Sequence, residues 1–249
     1  MRVVLSRTGK SAKAVGQSVR APFARLRSTK RFGVEGMIFI AVPDDEITNV
    51  VQTLSRGHKD FSRSIIFHTS GALSSEILSP LKRRGATVGS FHPLQTFPKS
   101  GIASGQLKNI WIGIEGDNKA VIAAKRIAHD FVSYPFVLSA RQKVLYHVAA
   151  VFSSNYFVTL LSVVEELGKH IRLPRRKIIP IFEPLILRSL MNVKKYSAAS
   201  ALTGPIVRGD VRTVKRHRTE LEKKGLRHIS QLYSALAKET SLLASKKVT

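Results

Sequence analysis

Apolar positions recur along the chain in two different rhythms, and the change falls near residue 139. Before it, short β-rich runs alternate with amphipathic stretches. VVL at 3–5 predicts a buried-type strand (MRVVLS) followed by a basic helix. MIFIAV (37–42), stopped by Pro43, predicts a further strand, and SIIFHTSG (64–71) another with its turn. ATVGSFHP (86–93), NIWIGIEG (109–116) and YPFVL (134–138) complete the set. In DDEITNVVQTLSR, Ile47, Val50, Val51 and Leu54 recur at helical spacing, with Asp44 or Asp45 placed to cap the helix. LSSEILSPLKRRG predicts a helix interrupted near Pro80 and ended by Gly85, and DNKAVIAAKRIAHDF one capped by Asp117. Short strands separated by helices of this size imply a mostly parallel sheet with helices on its faces.

After residue 140 the strand rhythm stops. QKVLYHVAAVFSSNYFVTLLSVVEELGKHI is one long helical pattern, and RRKIIPIFEPLILRSLMNVKKYS a second, expected to split near Pro180 or Pro184. DVRTVKRHRTELEKKG starts at Asp210 as a cap and stops at Gly225, and a last helix carries Ile229, Leu232, Leu236 and Leu243. The expected organisation is therefore an α/β domain over 1–139 followed by an all-α domain over 140–249.

Composition narrows the chemistry. The 249 residues contain no cysteine, which removes disulfides, thiolate catalysis and Cys-ligated metals, and fits a reducing compartment such as the cytoplasm. Lys and Arg number 41 against 16 Asp and Glu, a net charge of +25. A field of that sign draws anions of every kind, so non-specific association with nucleic acid is one reading of it. No recognition motif for nucleic acid accompanies the charge. The acid-free, Arg-rich start resembles an organelle transit peptide in composition, but the strand run at 3–5 favours a folded beginning. The run from Val144 to Val164 contains His147, Asn155 and several serines, which predicts a buried or interface helix rather than a membrane span.

Three polar loops follow predicted strands, and in open α/β sheets ligands gather at that edge. AVPDDEI puts Val42 and Pro43 there, HTSG puts His68, Ser70 and Gly71, and SFHPLQTF puts His92, ahead of a polar loop with Thr96, Pro98 and Gly101. Val42, Pro43, Ser70 and Gly71 are candidates to approach a nucleotide cofactor, and His92 to contact substrate. Without cysteine, and with no carboxylate at ligand spacing, a metal is not expected at His68 and His92. On the long helix, His147, Val151, Ser154, Asn155 and Val158 fall on neighbouring faces of a regular α-helix. A histidine can take or give a proton near neutral pH, and an amide can orient a carbonyl or amine, with Ser154 beside them. In LTGPIVRGD (202–210), Arg208 is a candidate ligand for an anionic substrate.

The glycine-rich turn that dinucleotide-binding sheets place after their first strand is missing; Gly9 and Gly16 are too far apart to form it. If the first visible strand corresponds to the second strand of such a fold, Ser6 and Arg7 stand at its end. Hydroxyl and cationic groups there suit the 2′-phosphate of NADP.

AVPDDEI (41–47), FHTSGALSSEIL (67–78), GSFHPLQTF (89–97), LYHVAAVFSSNYFVTLL (145–161) and ALTGPIVRGD (201–210) together resemble bacterial Rossmann-like proteins whose C-terminal half is the domain of unknown function 2520. These are distant relatives of pyrroline-5-carboxylate, ketopantoate and 6-phosphogluconate dehydrogenases. The resemblance implies an NAD(P)-binding domain, a helical domain that mediates homodimerisation, and catalysis in the cleft between the two. It also implies a catalytic Lys on the long helix with Asn residues one and two turns on. Placed here, His147 stands for that Lys and Asn155 for the second Asn. Relatives begin with an apolar strand and a Gly-rich turn; a late start, a decayed gene or a truncated protein with another role would each account for their absence. The expected function is an NADP-dependent oxidoreductase acting on a small, anionic C=O or C=N compound. The alternative is a non-catalytic nucleotide-sensing or interaction protein on a degenerate scaffold.

Overall fold

A computed structural model describes residues 3–97 and 107–246; Pro98 and Gly101 of the expected polar loop lie outside them. The chain divides into two compact units, 1–155 and 156–249. The change of rhythm at 139 thus precedes the structural division by some four helical turns. The first unit is a Rossmann-like α/β fold and the second is helical, as the two rhythms predict.

In the first unit, β1 (Val4–Ser6), α1 (Gly9–Ser18) and β2 (Phe23–Arg25) form a small parallel β-α-β piece. The main sheet runs β3 (Gly36–Ile40), β4 (Ser64–His68), β5 (Thr87–Pro93), β6 (Trp111–Gly116) and β7 (Tyr134–Val137), in that spatial order. All neighbours are parallel except β5 and β6. The first strand therefore pairs with β2 alone, and the outer flank of β3 has no hydrogen-bonded strand among the described residues. Met37 and Phe39 on β3 are correspondingly exposed, at 57% and 43%.

Alternation along the strands feeds two apolar layers. On one face Ile40, Ile66 and Val88 pack with Ile47, Val51 and Leu54 of α2 (Asp44–Gly57) and with Leu78 and Leu81. Leu81 belongs to the short α3 (Ser79–Lys82), which follows a 3-10 turn at Ser75–Leu78 with Pro80 in its first turn, where a missing N–H costs nothing. On the other face Phe67, Phe91, Ile112 and Ile114 meet Ala120, Ala124 and Ala128 of α4 (Asn118–Asp130). The alanines recur every four residues, so the helix lies close to the sheet. Burying each large side chain contributes about 1.5–3 kcal/mol.

Two caps differ from expectation. Pro43 occupies the cap position of α2, which leaves Asp44 in the first turn with its carboxylate free for a loop described below. Asp117 sits at the cap of α4 but accepts from Lys82 Nζ and from the Val88 backbone N–H instead of capping. At β7 the backbone N–H groups of Tyr134 and Leu138 donate to Ile110 and Ile114, so the intervening Pro135 faces the sheet's outer edge.

One helical segment runs from residue 140 to 170: α5 (Lys143–Val151), a π turn at Phe152–Tyr156 and α6 (Phe157–His170). The π turn inserts an extra residue, so the face shared by His147, Val151, Ser154, Asn155 and Val158 in a regular helix is not kept beyond 152. By length and composition this segment could cross a membrane, against the sequence expectation. Its first two turns, however, are seated in the α/β unit. The second unit continues with α7 (Arg175–Tyr196), α8 (Ala198–Ala201), α9 (Val211–Lys223) and α10 (Arg227–Ser245). α7 passes both prolines unbroken; the carbonyls they free, on Arg176 and Pro180, belong to exposed residues that water can reach. Asp210 caps α9 as expected, accepting from Thr213 N–H at 3.0 Å.

Gly116 tests the packing of the sheet. Its φ is +137°, and a Cβ would lie 2.5 Å from Gly89 Cα and from the Val88 carbonyl, both backbone. Gly116→Ala should lower the unfolding free energy by at least ~2 kcal/mol, measured by urea denaturation; an unchanged midpoint would contradict this account of the β5–β6 pair.

Candidate functional site

The carboxyl ends of β4 and β5 and the first two turns of α5 build one cluster, all within the first unit. Its centre is Lys143. This side chain is fully buried, and its ammonium donates to the Ser70 carbonyl at 2.8 Å and to Ser90 Oγ at 3.0 Å. A buried cation needs paired or polar surroundings. Here Glu115 and Asp44 act in its favour, while burial, the larger effect, pushes its pKa down to about 8.

The loop after β4 is closed by its own polar groups. Ser70 Oγ donates to Asp44 Oδ2 at 2.7 Å and accepts from the backbone N–H groups of Ala72 and Leu73. With its carbonyl on Lys143 and 4% exposure, Ser70 shapes the loop and turns no free group outward. His68 is buried too: Nδ1 accepts from Ser70 N–H, and Nε2 lies 3.1 Å from the Ser74 carbonyl, to which it donates. His68 is thus a hydrogen-bonded part of the loop. Glu115 accepts from Ser75 N–H and Oγ at 2.7 and 2.8 Å, which ties β6 to the same loop.

Above Gly71 three side chains converge. His92 Nδ1 lies 2.7 Å from Tyr146 Oη, and the rings of His92 and His147 are 6.0 Å apart. A Cβ on Gly71 would fall 2.5 Å from His147 Nδ1 and 2.9 Å from His92 Nε2, so only glycine fits there. His147 Nδ1 is shielded from solvent and has no hydrogen-bond partner among the described residues. A ring nitrogen shielded from water and left without a partner costs free energy in the folded chain, which a hydrogen-bonding group placed there would recover.

Of the residues singled out in the sequence, Gly71, His92 and His147 meet here, with Ser70 beneath. Val42 is half-buried on the core behind β3, and Pro43 is exposed at the start of α2. Ser6 ends β1, and Arg7 Nη1 pairs with Glu46 Oε1 at 2.9 Å on the surface. Ser154 and Asn155 fall in the π turn, Ser154 half-buried and Asn155 exposed. Arg208 belongs to the second unit, where it is exposed. Lys143 and Tyr146 were missed. Lys143 lies one turn before His147, so the Lys pattern implied by the resemblance also fits one turn earlier, with His147 and Val151 in the following positions.

An NADP site on this chain would draw on two separate groups of residues. After β1, Arg7 and Thr8 carry a cation and a hydroxyl, the first paired with Glu46 and the second capping α1, and Gly71 lies beneath the two imidazoles. For the pyrophosphate between them the described residues hold no glycine-rich amide cradle, and α2 opens with Asp44, Asp45 and Glu46, which repel phosphate.

Burial and then the Lys143 charge push both His68 and His92 down to about 4, from an ordinary 6.5. Between those values the unfolded chain binds more protons than the folded one, so stability falls as pH is lowered through that interval. Urea midpoints should decline from about pH 6.5 towards 4, on the order of 2–3 kcal/mol for His68 alone. A flat profile there would contradict the buried neutral histidines.

Residues 10–93 match the Rossmann-like domain, and residues 110–240 match the domain of unknown function DUF2520. No curated protein matches the chain. Among solved structures it is similar to protein TM1727 of Thermotoga maritima, at 27% identity and TM-score 0.73, over 98% of this chain and 91% of that one. It is similar to a candidate NADP oxidoreductase of Bacteroides fragilis at 23% identity and TM-score 0.77, over 97% and 88%. It also shares its fold with an imine reductase of Myxococcus stipitatus, solved with NADP+, at 15% identity and TM-score 0.62, over 95% and 84%. The DUF2520 match covers more than half of the chain, which therefore belongs to the family of Rossmann-like proteins that carry this domain.

Proposed function

We propose that the chain is an NADP-linked oxidoreductase that moves a hydride to or from a small C=O or C=N compound at the carboxyl edge of β4 and β5. The observation that carries this reading is the convergence of His92 and His147 over Gly71, on a floor held by the buried Lys143 ammonium. The fold similarity to NADP-binding reductases supports it. NADP(H) would supply or take up the hydride when bound; Ser6 and Arg7 would hold its 2′-phosphate, and Val42, Pro43 and Gly71 are the other residues proposed to hold it.

The chain's own part is to orient the reacting group and manage its proton. His147 has a shielded, unpartnered ring nitrogen and serves as the general acid/base. His92, held neutral, serves as a hydrogen-bond donor that polarises C=O or C=N without becoming charged. Lys143 is enclosed and does not reach substrate; it fixes Ser70 and Ser90 and keeps its histidine neighbours uncharged. Asn155, on the same helical segment, remains a candidate for orienting the substrate.

A panel of cyclic imines and small ketones, assayed by NADPH consumption, tests the reading. His147→Ala should lose about 100-fold or more in kcat while keeping NADPH affinity; equal turnover would remove His147 from the mechanism. The split between β1 and β3, with no pyrophosphate cradle, favours a second reading: a nucleotide-sensing or interaction protein without catalysis. Failure to bind NADPH or NADP+ supports that alternative.

The proposal includes a homodimer. α7 exposes Ile181, Leu185, Leu187, Leu190 and Met191, each at least 50% accessible, and α6 adds Phe157 and Val158. Exposed large apolar side chains in this number mark a surface that another molecule covers, and a second copy is the cover proposed. Sedimentation should give twice the 27.5 kDa of one chain, and Leu185→Glu with Leu190→Glu should give monomers. Partition of the wild type into lipid vesicles instead would contradict the dimer.

A further inference from the structure

His92 has two nitrogens in different surroundings, and which of them carries the proton decides what the cluster offers a ligand. Nδ1 meets Tyr146 Oη at 2.7 Å. Among the described residues this is the phenol's one hydrogen bond. The Phe136 ring packs edge-on at 5.6 Å between centroids, and a Cβ built on Gly113 would lie 3.0 Å from Oη. If Nδ1 held the proton it would donate to the phenol oxygen, and the phenol hydrogen would have no protein acceptor among the described residues. With the O–H donating to Nδ1, the phenol proton and the ring lone pair satisfy each other, and only Nε2–H is left over. Burial raises the phenol pKa to about 12, so its proton stays in place at neutral pH.

The far side of the ring follows from this. Nε2 approaches the same point above Gly71 that His147 Nδ1 approaches, at 2.9 and 2.5 Å. Two N–H groups turned on one spot would repel, so Nε2–H on His92 is matched by a lone pair on Nδ1 of His147.

We propose that Tyr146 is a positioning residue: its phenol donates to Nδ1 of His92 and commits that ring to the Nε2–H form, so that the site presents one donor, on His92, and one acceptor, on His147. The ligand that suits this pair bears both a lone pair and a hydrogen on its polar atom: an N–H imine, an amine or an alcohol. A carboxylate, which only accepts, uses half of it. The ligand class and the consequence for turnover rest on the oxidoreductase reading; the proton's position does not.

The test uses the full chain without ligand, labelled with 15N-histidine, in long-range proton–nitrogen NMR spectra near neutral pH, with His92 assigned by comparison with His92→Gln. The expected result is a lone-pair-type Nδ1, a protonated Nε2 and a slowly exchanging Tyr146 phenol proton. Tyr146→Phe keeps the ring against Phe136; it should abolish that phenol signal and bring a second, Nδ1–H population to His92. A proton on Nδ1 in the wild type, or an unchanged His92 pattern in Tyr146→Phe, overturns the proposal. The wild-type spectrum decides the tautomer even where the variant fails to fold. With a substrate in hand, Tyr146→Phe should lower kcat on the order of 10- to 100-fold with an altered pH profile and little change in KM. Nε2–H together with no NADPH-dependent activity on any substrate would sink the oxidoreductase reading and leave this one standing.

Discussion

A single ammonium group holds the chemistry-bearing part of this molecule together. Lys143 reaches from the first turn of α5 into the α/β unit and satisfies groups 73 and 53 residues earlier in the chain, the Ser70 carbonyl and the Ser90 hydroxyl. Its cost is the desolvation of a cation, offset by two short hydrogen bonds and by the carboxylates of Asp44 and Glu115. Everything nearby answers to it. The loop after β4 is pinned by its carbonyl, and the helix carrying Tyr146 and His147 is anchored at its start. Two histidines stay neutral beside a fixed positive charge.

Much of the architecture was legible from the residue pattern because burial writes itself as periodicity. MIFIAV, SIIFHTSG and NIWIGIEG alternate or run apolar as parallel-sheet strands do; β4 and β6 lie within those limits and β3 starts one residue before its own, at Gly36. The break between β1 and β3 was foreshadowed by the absent glycine turn. What escaped was whatever depends on contacts distant in sequence. A lysine opening an amphipathic helix looks like a solvated charge, and nothing local to Lys143 shows that serines far upstream enclose it. Tyr146 looked like one more apolar position. The π turn, which moves Ser154 and Asn155 off the face of His147, leaves no trace in spacing arguments that assume 3.6 residues per turn.

The site shows a division of labour among imidazoles that composition alone would not suggest. His68 has both nitrogens engaged within its own loop and behaves as scaffold. His92 has one nitrogen engaged and one turned towards Gly71, and His147 keeps an orphaned nitrogen. His147, whose Nδ1 makes no bond among the described residues, also lies nearer than His92 to the Cβ position of Gly71, at 2.5 against 2.9 Å.

The two flanks of the main sheet are unequal, and Pro135 is the reason on one side. Because the N–H groups of Tyr134 and Leu138 turn inward, the outward positions of β7 are Pro135, which has no donor, and Val137. A strand laid against that flank would find one donor where an ordinary edge gives two, so the sheet is terminated there. At β3 no such block stands among the described residues. The sheet therefore has a polarity of growth: any additional strand, from whatever source, would enter beside β3, where Met37 and Phe39 already wait uncovered.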